Sequence, residues 1–133
     1  MRSSQKKILV DTNVYVGFYN NQDALHERAT RMLMRGDEFV TTEHVFVEIM
    51  NVISRRAGVA AAIEAGKELL STDIKLIQPL QHEFDEAWKM FASQKRLSFT
   101  DCVNIVLARS FGCDAIATFD EAYREKSRVP LLE

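Results

Sequence analysis

Four acidic residues stand at positions where an ordinary surface charge would be out of place. Asp11 and Asp120 each follow a short apolar run that predicts a strand, and Glu48 and Asp101 lie on predicted helices, on or beside the apolar face. Two carboxylates about 4 Å apart repel by roughly 4 kcal/mol at an effective dielectric near 20, so such a cluster needs a cation or shared protons. An all-oxygen site suits Mg²⁺ or Mn²⁺, which activates water and neutralises phosphate.

Each acid also has a simpler interpretation. Asp11, Asp101 and Asp120 occupy positions where an aspartate caps the N-terminus of a helix, and Ser98 with Asp101 fits a capping box. Glu48 fits an ordinary ion-paired helix residue. No Lys or Arg is expected on the helical stripe of Glu48 or Asp101. The spacing of the residues is compatible with both interpretations, a metal site and a set of helix caps.

The predicted elements place these acids at one edge of a sheet. Apolar runs predict strands at residues 7–10, 38–41, 74–77 and 114–118, with a short edge strand at 129–132. Helical periodicity predicts helices at 14–19, 24–35, 43–56, 59–70, 83–93, 98–110 and 121–126. Strands alternating with helices indicate an α/β fold with a mainly parallel sheet of four or five strands and helices on both faces. Ligands bind at the carboxyl edge of such a sheet.

Length and charge limit the classes of function. The 133 residues fit one domain, 1–133, and a hydrophobic content of 47% with 27% charged residues is ordinary for a globular protein. A net charge of −2 provides no global field for nucleic acid, so any nucleic-acid binding needs local basic residues around the acidic site. The candidates for that rim are Arg55, Arg56, Lys95, Arg96 and Arg124.

The cysteine pattern and the short apolar runs predict a cytoplasmic protein. Cys102 and Cys113 form no metal-binding or redox motif, and without a visible signal peptide they are expected to be reduced thiols. The longest apolar run, 57–63, is far too short to span a bilayer. The three histidines lack the spacing of a zinc site.

Four short motifs, in order along nearly the whole chain, carry a resemblance to a known family. They are ILVDTN at 8–13, VEIMN at 47–51, SFTD at 98–101 and ATFD at 117–120. The chain resembles the PIN domain family, and within it the VapC-type toxin nucleases of toxin–antitoxin pairs. Each motif is weak alone, but the ordered set is fairly specific.

The resemblance implies a three-layer α/β/α fold and an endoribonuclease dependent on Mg²⁺ or Mn²⁺, with products that carry a 5′-phosphate and a 3′-hydroxyl. It implies that the metal ligands and catalytic acids are Asp11, Glu48, Asp101 and Asp120. Residues that orient these carboxylates or a water would be Thr12, Asn13 and Thr118. The expected partners are an RNA substrate, an antitoxin that occludes the acidic pocket, and a second copy of the chain in a two-fold dimer.

Other functions remain open at this point. The chain could be a PIN-domain nuclease that processes RNA outside a toxin pair, or a non-catalytic scaffold that binds RNA or protein. Phosphoryl-transfer folds also place an acid after the first strand. Haloacid-dehalogenase-like enzymes use Asp-x-Asp there, whereas position 13 is Asn, and a receiver domain would need a Lys after a late strand, which residues 118–120 do not provide.

Overall fold

The computed structural model describes residues 5–132. Its elements, in chain order, are β1 (Lys7–Val10), α1 (Thr12–Tyr19), α2 (His26–Leu33), β2 (Glu38–Thr42), α3 (Glu43–Ala57), α4 (Val59–Leu70), β3 (Lys75–Ile77), α5 (Gln81–Ala92), α6 (Phe99–Ser110), β4 (Ala115–Ala117) and α7 (Tyr123–Lys126). The strands form one sheet in the order β3-β2-β1-β4, and all neighbouring pairs are parallel. The predicted parallel α/β fold is confirmed.

The sheet separates two hydrophobic cores, which makes the fold three-layered. Successive side chains of a strand point to opposite faces, and β1 follows this rule. Leu9 packs into the core beneath α5 and α6, whereas Ile8 and Val10 pack into the core formed with α1 to α4. All three are fully buried, and β1 is one of the two inner strands, so its carboxyl end lies away from the outer strands of the sheet.

Two polar caps fix where the long helices begin. The Thr42 hydroxyl accepts a hydrogen bond from the backbone N–H of Val45 at 3.1 Å and starts α3 directly after β2. Ser98 and Asp101 form the expected capping box at the start of α6, with reciprocal bonds of 3.1 and 2.9 Å. These caps begin α3 and α6 at the edge of the sheet where β1 ends.

Several predicted boundaries differ from the observed ones. α2 begins at His26 rather than at residue 24, because Asp23 holds the preceding residues in a turn by accepting a bond from the backbone N–H of Leu25 at 2.8 Å. α5 begins before Glu83, whose carboxylate accepts a bond from the backbone N–H of Leu80 at 2.8 Å. The predicted final strand is reduced to a single parallel bridge between Ile116 and Leu131.

The amphipathic pattern of α5 overestimates its burial. Ala87 is fully buried, but Phe84 and Trp88, predicted on the same face, are 40% and 54% exposed. α5 packs mainly against α6 at the outside of the fold, so only part of its apolar face is covered. Both cysteines are buried free thiols. None of the helices in the described chain has the length and apolar character needed to cross a bilayer.

Candidate active site

The four acids singled out from the sequence line one open pocket at the carboxyl edge of the sheet. The pocket has a volume of about 260 Å³. Its lining residues are Asp11, Thr12, Asn13, Val16, Glu48, Val52, Arg56, Asp101 and Asp120. Residues separated by up to 109 positions in the chain therefore meet around one concave surface.

Asp11 is the most deeply buried of the four acids, with 4% of its surface exposed. It caps α1, and its Oδ1 accepts bonds from the Thr12 backbone N–H at 2.7 Å and from Asn104 Nδ2 at 3.2 Å. Its Oδ2 accepts a bond from the Thr118 hydroxyl at 2.8 Å. Burial, followed by the charge of Asp101, raises the pKa of Asp11 to about 7 despite these hydrogen bonds. The carboxylate is well oriented but lacks a countercharge.

Asp101 faces the pocket from the first turn of α6. Its Oδ2 completes the capping box with the Ser98 backbone N–H, and its Oδ1 accepts a 2.8 Å bond from the Tyr123 hydroxyl. Burial is the main cause that raises the pKa of Asp101 above its usual value. Asp101 both caps α6 and lines the pocket, with one oxygen bonded to the helix cap and the other to the buried Tyr123 hydroxyl.

Asn104 and Tyr123 are site residues that the sequence interpretation missed. Asn104 is fully buried and accepts a 3.0 Å bond from the Thr42 hydroxyl, while its amide donates to both Asp11 and the Tyr123 hydroxyl. Tyr123 then donates to Asp101, so one hydrogen-bonded chain joins the two acids. The sequence contains a signal for Asn104, because it is a polar residue one turn after Asp101 on an otherwise apolar helix. No comparable sequence signal marks Tyr123.

Glu48 reaches the pocket from α3. Its Oε1 accepts a 2.7 Å bond from the Thr12 hydroxyl. Val52 and Arg56 follow at one-turn intervals and line the same pocket. The expectation that no cation shares the helical stripe of Glu48 is therefore wrong, because Arg56 lies two turns further along that stripe.

Asp120 lines the pocket from the loop after β4. Its backbone N–H donates to the Thr118 hydroxyl at 3.1 Å, and its Oδ1 accepts a bond from the Ala122 backbone N–H at 2.9 Å. Asn13 donates to the same Thr118 hydroxyl at 3.4 Å and accepts a 3.2 Å bond from the Phe119 backbone N–H. Thr118 and Asn13 thus tie the β4 loop to the start of α1.

The other four predicted rim cations do not line the pocket. Arg96 pairs with Glu125 at 3.6 Å, and Arg124 pairs with Glu121 at 2.5 Å, all on exposed surface. The two remaining candidates, Arg55 and Lys95, are exposed. Arg56 alone combines the predicted charge with a position on the described lining of the acidic pocket.

The donor chemistry of the pocket fits a hard divalent cation. None of the salt bridges formed within residues 5–132 involves the four acids. In the same residues, no three Asp, Glu, His or Cys side chains stand close enough together to form a ready-made metal cage. Mg²⁺ typically keeps several waters and binds through one or two carboxylates, so it does not require such a cage. Asp11 is buried and Asp101 is partly buried, and neither has an ion-pair partner in the described chain, so this is the pair of charges that a cation would neutralise.

The sequence matches the PIN domain family over residues 8–129. The chain belongs to the PIN domain family. This PIN domain is 28% identical over 116 residues to the 23S rRNA-specific endonuclease VapC20 of Mycobacterium tuberculosis, an alignment that covers 85% of this chain and 88% of that protein.

Solved structures agree with this assignment. The crystal structure of Mycobacterium tuberculosis VapC20, described as a sarcin-ricin loop cleaving toxin, has a TM-score of 0.81 at 26% identity and covers 89% of this chain and 93% of its own. VapBC2 from Rickettsia felis, bound to a DNA fragment from its promoter, has a TM-score of 0.70 at 13% identity, over 96% and 97% of the two chains. The second likeness establishes the fold alone.

Proposed function

We propose that this PIN domain is a metal-dependent endoribonuclease and the toxin of a type II toxin–antitoxin pair. The observation that carries the proposal is the convergence of Asp11, Glu48, Asp101 and Asp120 on one pocket with no ion-pair partner in the described chain. The similarity to an rRNA-specific endonuclease supports the same activity.

Asp11 and Asp101 would be the principal ligands of Mg²⁺ or Mn²⁺, with Glu48 and Asp120 completing the acidic lining. When bound, the ion supplies a water of lowered pKa and a positive charge that offsets the charge of the phosphate. Asp11 is held by three hydrogen bonds, and Asp101 by the capping box and Tyr123. These bonds leave lone pairs on both carboxylates and keep them from turning away from the pocket.

Arg56, which lines the acidic pocket, would bind the RNA strand as it enters. A guanidinium forms charge-assisted, bidentate hydrogen bonds with phosphate oxygens. Hydrolysis adds water across the bond between phosphorus and the 3′-oxygen. The water oxygen stays on phosphorus as part of a 5′-phosphate, and a proton ends on the 3′-hydroxyl of the other fragment.

The decisive experiment for this proposal is cleavage with end mapping. Ribosomal RNA containing the sarcin–ricin loop is the first substrate to try, because the similar VapC20 acts on 23S rRNA. We expect discrete cuts in Mg²⁺, none in EDTA, and 5′-phosphorylated ends. An Asp101→Asn variant that cuts as fast as the parent would contradict the proposal.

A second surface supports an antitoxin partner. A cavity of about 450 Å³ between α1, α3 and α4 has mainly apolar walls, including Val16, Tyr19, Val52, Ile53, Ala61 and Ala65. It shares Val16, Val52 and Arg56 with the acidic pocket, so the two are continuous. An apolar antitoxin segment bound there would carry a neighbouring Arg towards the acids, in competition with the metal.

A homodimer is supported by an uncovered apolar surface across α3, α6 and α5. The His44 and Phe84 rings lie 5.9 and 5.2 Å from the ring of Phe99, and Val47 and Trp88 are more than half exposed beside them. An isologous contact here would bring two pockets close together, because Glu48 is one turn from His44 and Asp101 is two residues from Phe99. Trp88→Glu should yield a monomer in light scattering, and Leu70→Glu on exposed α4 should not.

A further inference from the structure

Three arginines on and just after α2 form a row that no sequence motif indicated. Arg28 and Arg31 are three residues apart and share one face of the helix, and Arg35 lies two residues beyond the last helical residue, Leu33. All three are exposed, and with Met32 and Met34 they line a concavity of about 520 Å³. In a protein of net charge −2, this α2 arginine row is a local concentration of positive charge.

The row begins beside the acidic pocket. The Arg28 guanidinium carbon lies 5.1 Å from the centre of the Phe119 ring, within cation–π range. The Phe119 backbone N–H donates to Asn13, which lines the pocket, and the next residue is Asp120. A strand leaving the acidic pocket past Phe119 therefore meets Arg28 first and the other two arginines further along.

α2 is fixed in place, so the row is a preformed surface. Ala29 is fully buried in the core shared with α1, and His26 Nδ1 lies 2.9 Å from the carbonyl oxygen of Gly17. Arg28 and Arg31 thus project from a helix anchored at its first turn, and Arg35 lies just beyond the end of that helix. A rigid support reduces the ordering cost when a ligand binds along the row.

Acidic side chains of the protein do not neutralise most of the positive charge of the α2 arginine row. Arg35 pairs with Asp37 at 3.0 Å. Arg28 and Arg31 take part in no salt bridge within residues 5–132, although Glu27 is their neighbour on the helix. Two guanidiniums side by side without an acid partner are available to an external anion, and their planar forks match phosphate geometry.

We propose that the α2 arginine row binds the phosphate backbone of the RNA strand adjacent to the bond that is cut. This inference rests on the proposed ribonuclease function and extends it to a second, sequence-independent contact. Backbone contacts position a nucleic acid without reading its bases. The row would therefore set the affinity and register of the strand, while the acids perform the chemistry.

The test is the salt dependence of RNA binding in EDTA, where no cleavage occurs. The probe is a fluorescein-labelled, 20-nucleotide single-stranded RNA titrated at several salt concentrations. Each phosphate contact on a single strand contributes about −0.7 to the slope of log K against log salt. Arg28→Gln/Arg31→Gln should reduce the steepness of the slope by about 1.4 and weaken binding at least tenfold at low salt. The matched control, Lys6→Gln/Lys67→Gln, removes the same charge from exposed residues elsewhere and should leave the slope unchanged.

RNA cleavage in Mg²⁺ distinguishes a failure of the arginine contact from a failure of the proposed ribonuclease function. The arginine variant should raise KM and leave kcat near that of the parent. If the parent cuts RNA and the arginine variant keeps the parent's slope and KM, the row is not an RNA contact and the inference alone falls. The inference also falls if the arginine variant loses only antitoxin binding, which would make the row a protein interface. A parent that neither binds nor cuts RNA would overturn the proposed function together with this contact.

Discussion

The acidic pocket has two unlike halves. The inner pair, Asp11 and Asp101, is joined by a continuous hydrogen-bonded chain through Asn104 and Tyr123. The outer pair, Glu48 and Asp120, is not part of that chain, and the two carboxylates accept bonds from Thr12 and Ala122 respectively. None of the four acids has an ion-pair partner in the described chain, but the inner carboxylates are each held by several hydrogen bonds, whereas the outer ones are less constrained and can adjust to a ligand.

This difference suggests a division of labour. Preorganised carboxylates bind a metal without first paying to be oriented. Less constrained carboxylates at the rim can shift as substrate and water enter.

The inner pair should make the metal-free protein less stable as pH rises. The pKa of Asp11 is about 7 in the folded state and about 3.8 when unfolded. Between these values the unfolded chain has released the proton and the folded chain retains it, so stability falls from about pH 4 to about pH 7. The loss should reach at most about 4 kcal/mol. Urea unfolding in EDTA at pH 4.5 and 7.5 measures it, and Asp11→Asn should flatten the difference; an equal pH dependence in both proteins would refute the assignment.

Removal of one inner carboxylate should abolish most activity. Asp11→Asn and Asp101→Asn keep the size of the side chain but delete a metal-binding charge and turn one acceptor oxygen into a donor, so RNA cleavage at limiting Mg²⁺ should fall more than about 100-fold. Single-turnover cleavage rates provide the measurement. Thermal unfolding in EDTA should show that both variants remain folded, and rates within a factor of three of the parent would argue against the metal site.

The hydroxyl of Tyr123 should matter more than that of an equally buried tyrosine elsewhere. Tyr123→Phe removes the donor to Asp101 and should weaken Mn²⁺ binding by about 10- to 100-fold, the usual effect of a residue that orients a ligand. Tyr15→Phe is the matched control, because the Tyr15 hydroxyl is also buried but bonds to Thr41 away from the pocket. Calorimetric titrations measure the Mn²⁺ affinity of both variants. If both lose the same affinity, the Tyr123 hydroxyl does not orient Asp101 and Tyr123 contributes only to packing.

The outer pair should be the more tolerant. Glu48→Gln and Asp120→Asn each remove one charge from a carboxylate that lies outside the hydrogen-bonded chain of Asp11, Asn104, Tyr123 and Asp101, so Mn²⁺ affinity should fall less than about tenfold. Calorimetric titration under the conditions used for the inner pair makes the comparison direct. If an outer variant loses as much affinity as Asp11→Asn, the proposed division between the halves is wrong.

The sequence predicts the elements better than the connections between them. A buried aliphatic run that ends in Asp11 predicts a strand with an acid at its tip, because burial and strand propensity are local properties. The link from Asn104 through Tyr123 to Asp101 depends on where a short C-terminal helix docks, which no local pattern encodes. The basic surfaces show the same limit, since spacing does not reveal that Arg96 and Arg124 pair with acids while Arg28 stacks on Phe119.

The exposed aromatic rings of α5 show that helical periodicity does not predict the extent of burial. Periodicity places Phe84, Ala87 and Trp88 on one face of a helix, but it does not determine how much of that face a neighbouring helix covers. α6 covers only Ala87 completely. A half-covered apolar face is therefore a structural finding, and it directs attention to a partner rather than to the core.

We propose above that the acidic pocket binds one metal ion whose principal ligands are Asp11 and Asp101. Crystals soaked in Mn²⁺ and measured near the manganese absorption edge would locate that ion. We expect an anomalous difference peak within about 2.5 Å of carboxylate oxygens of both Asp11 and Asp101, absent from Asp11→Asn crystals. A manganese site elsewhere in the molecule, with this pocket empty at saturating Mn²⁺, would contradict it.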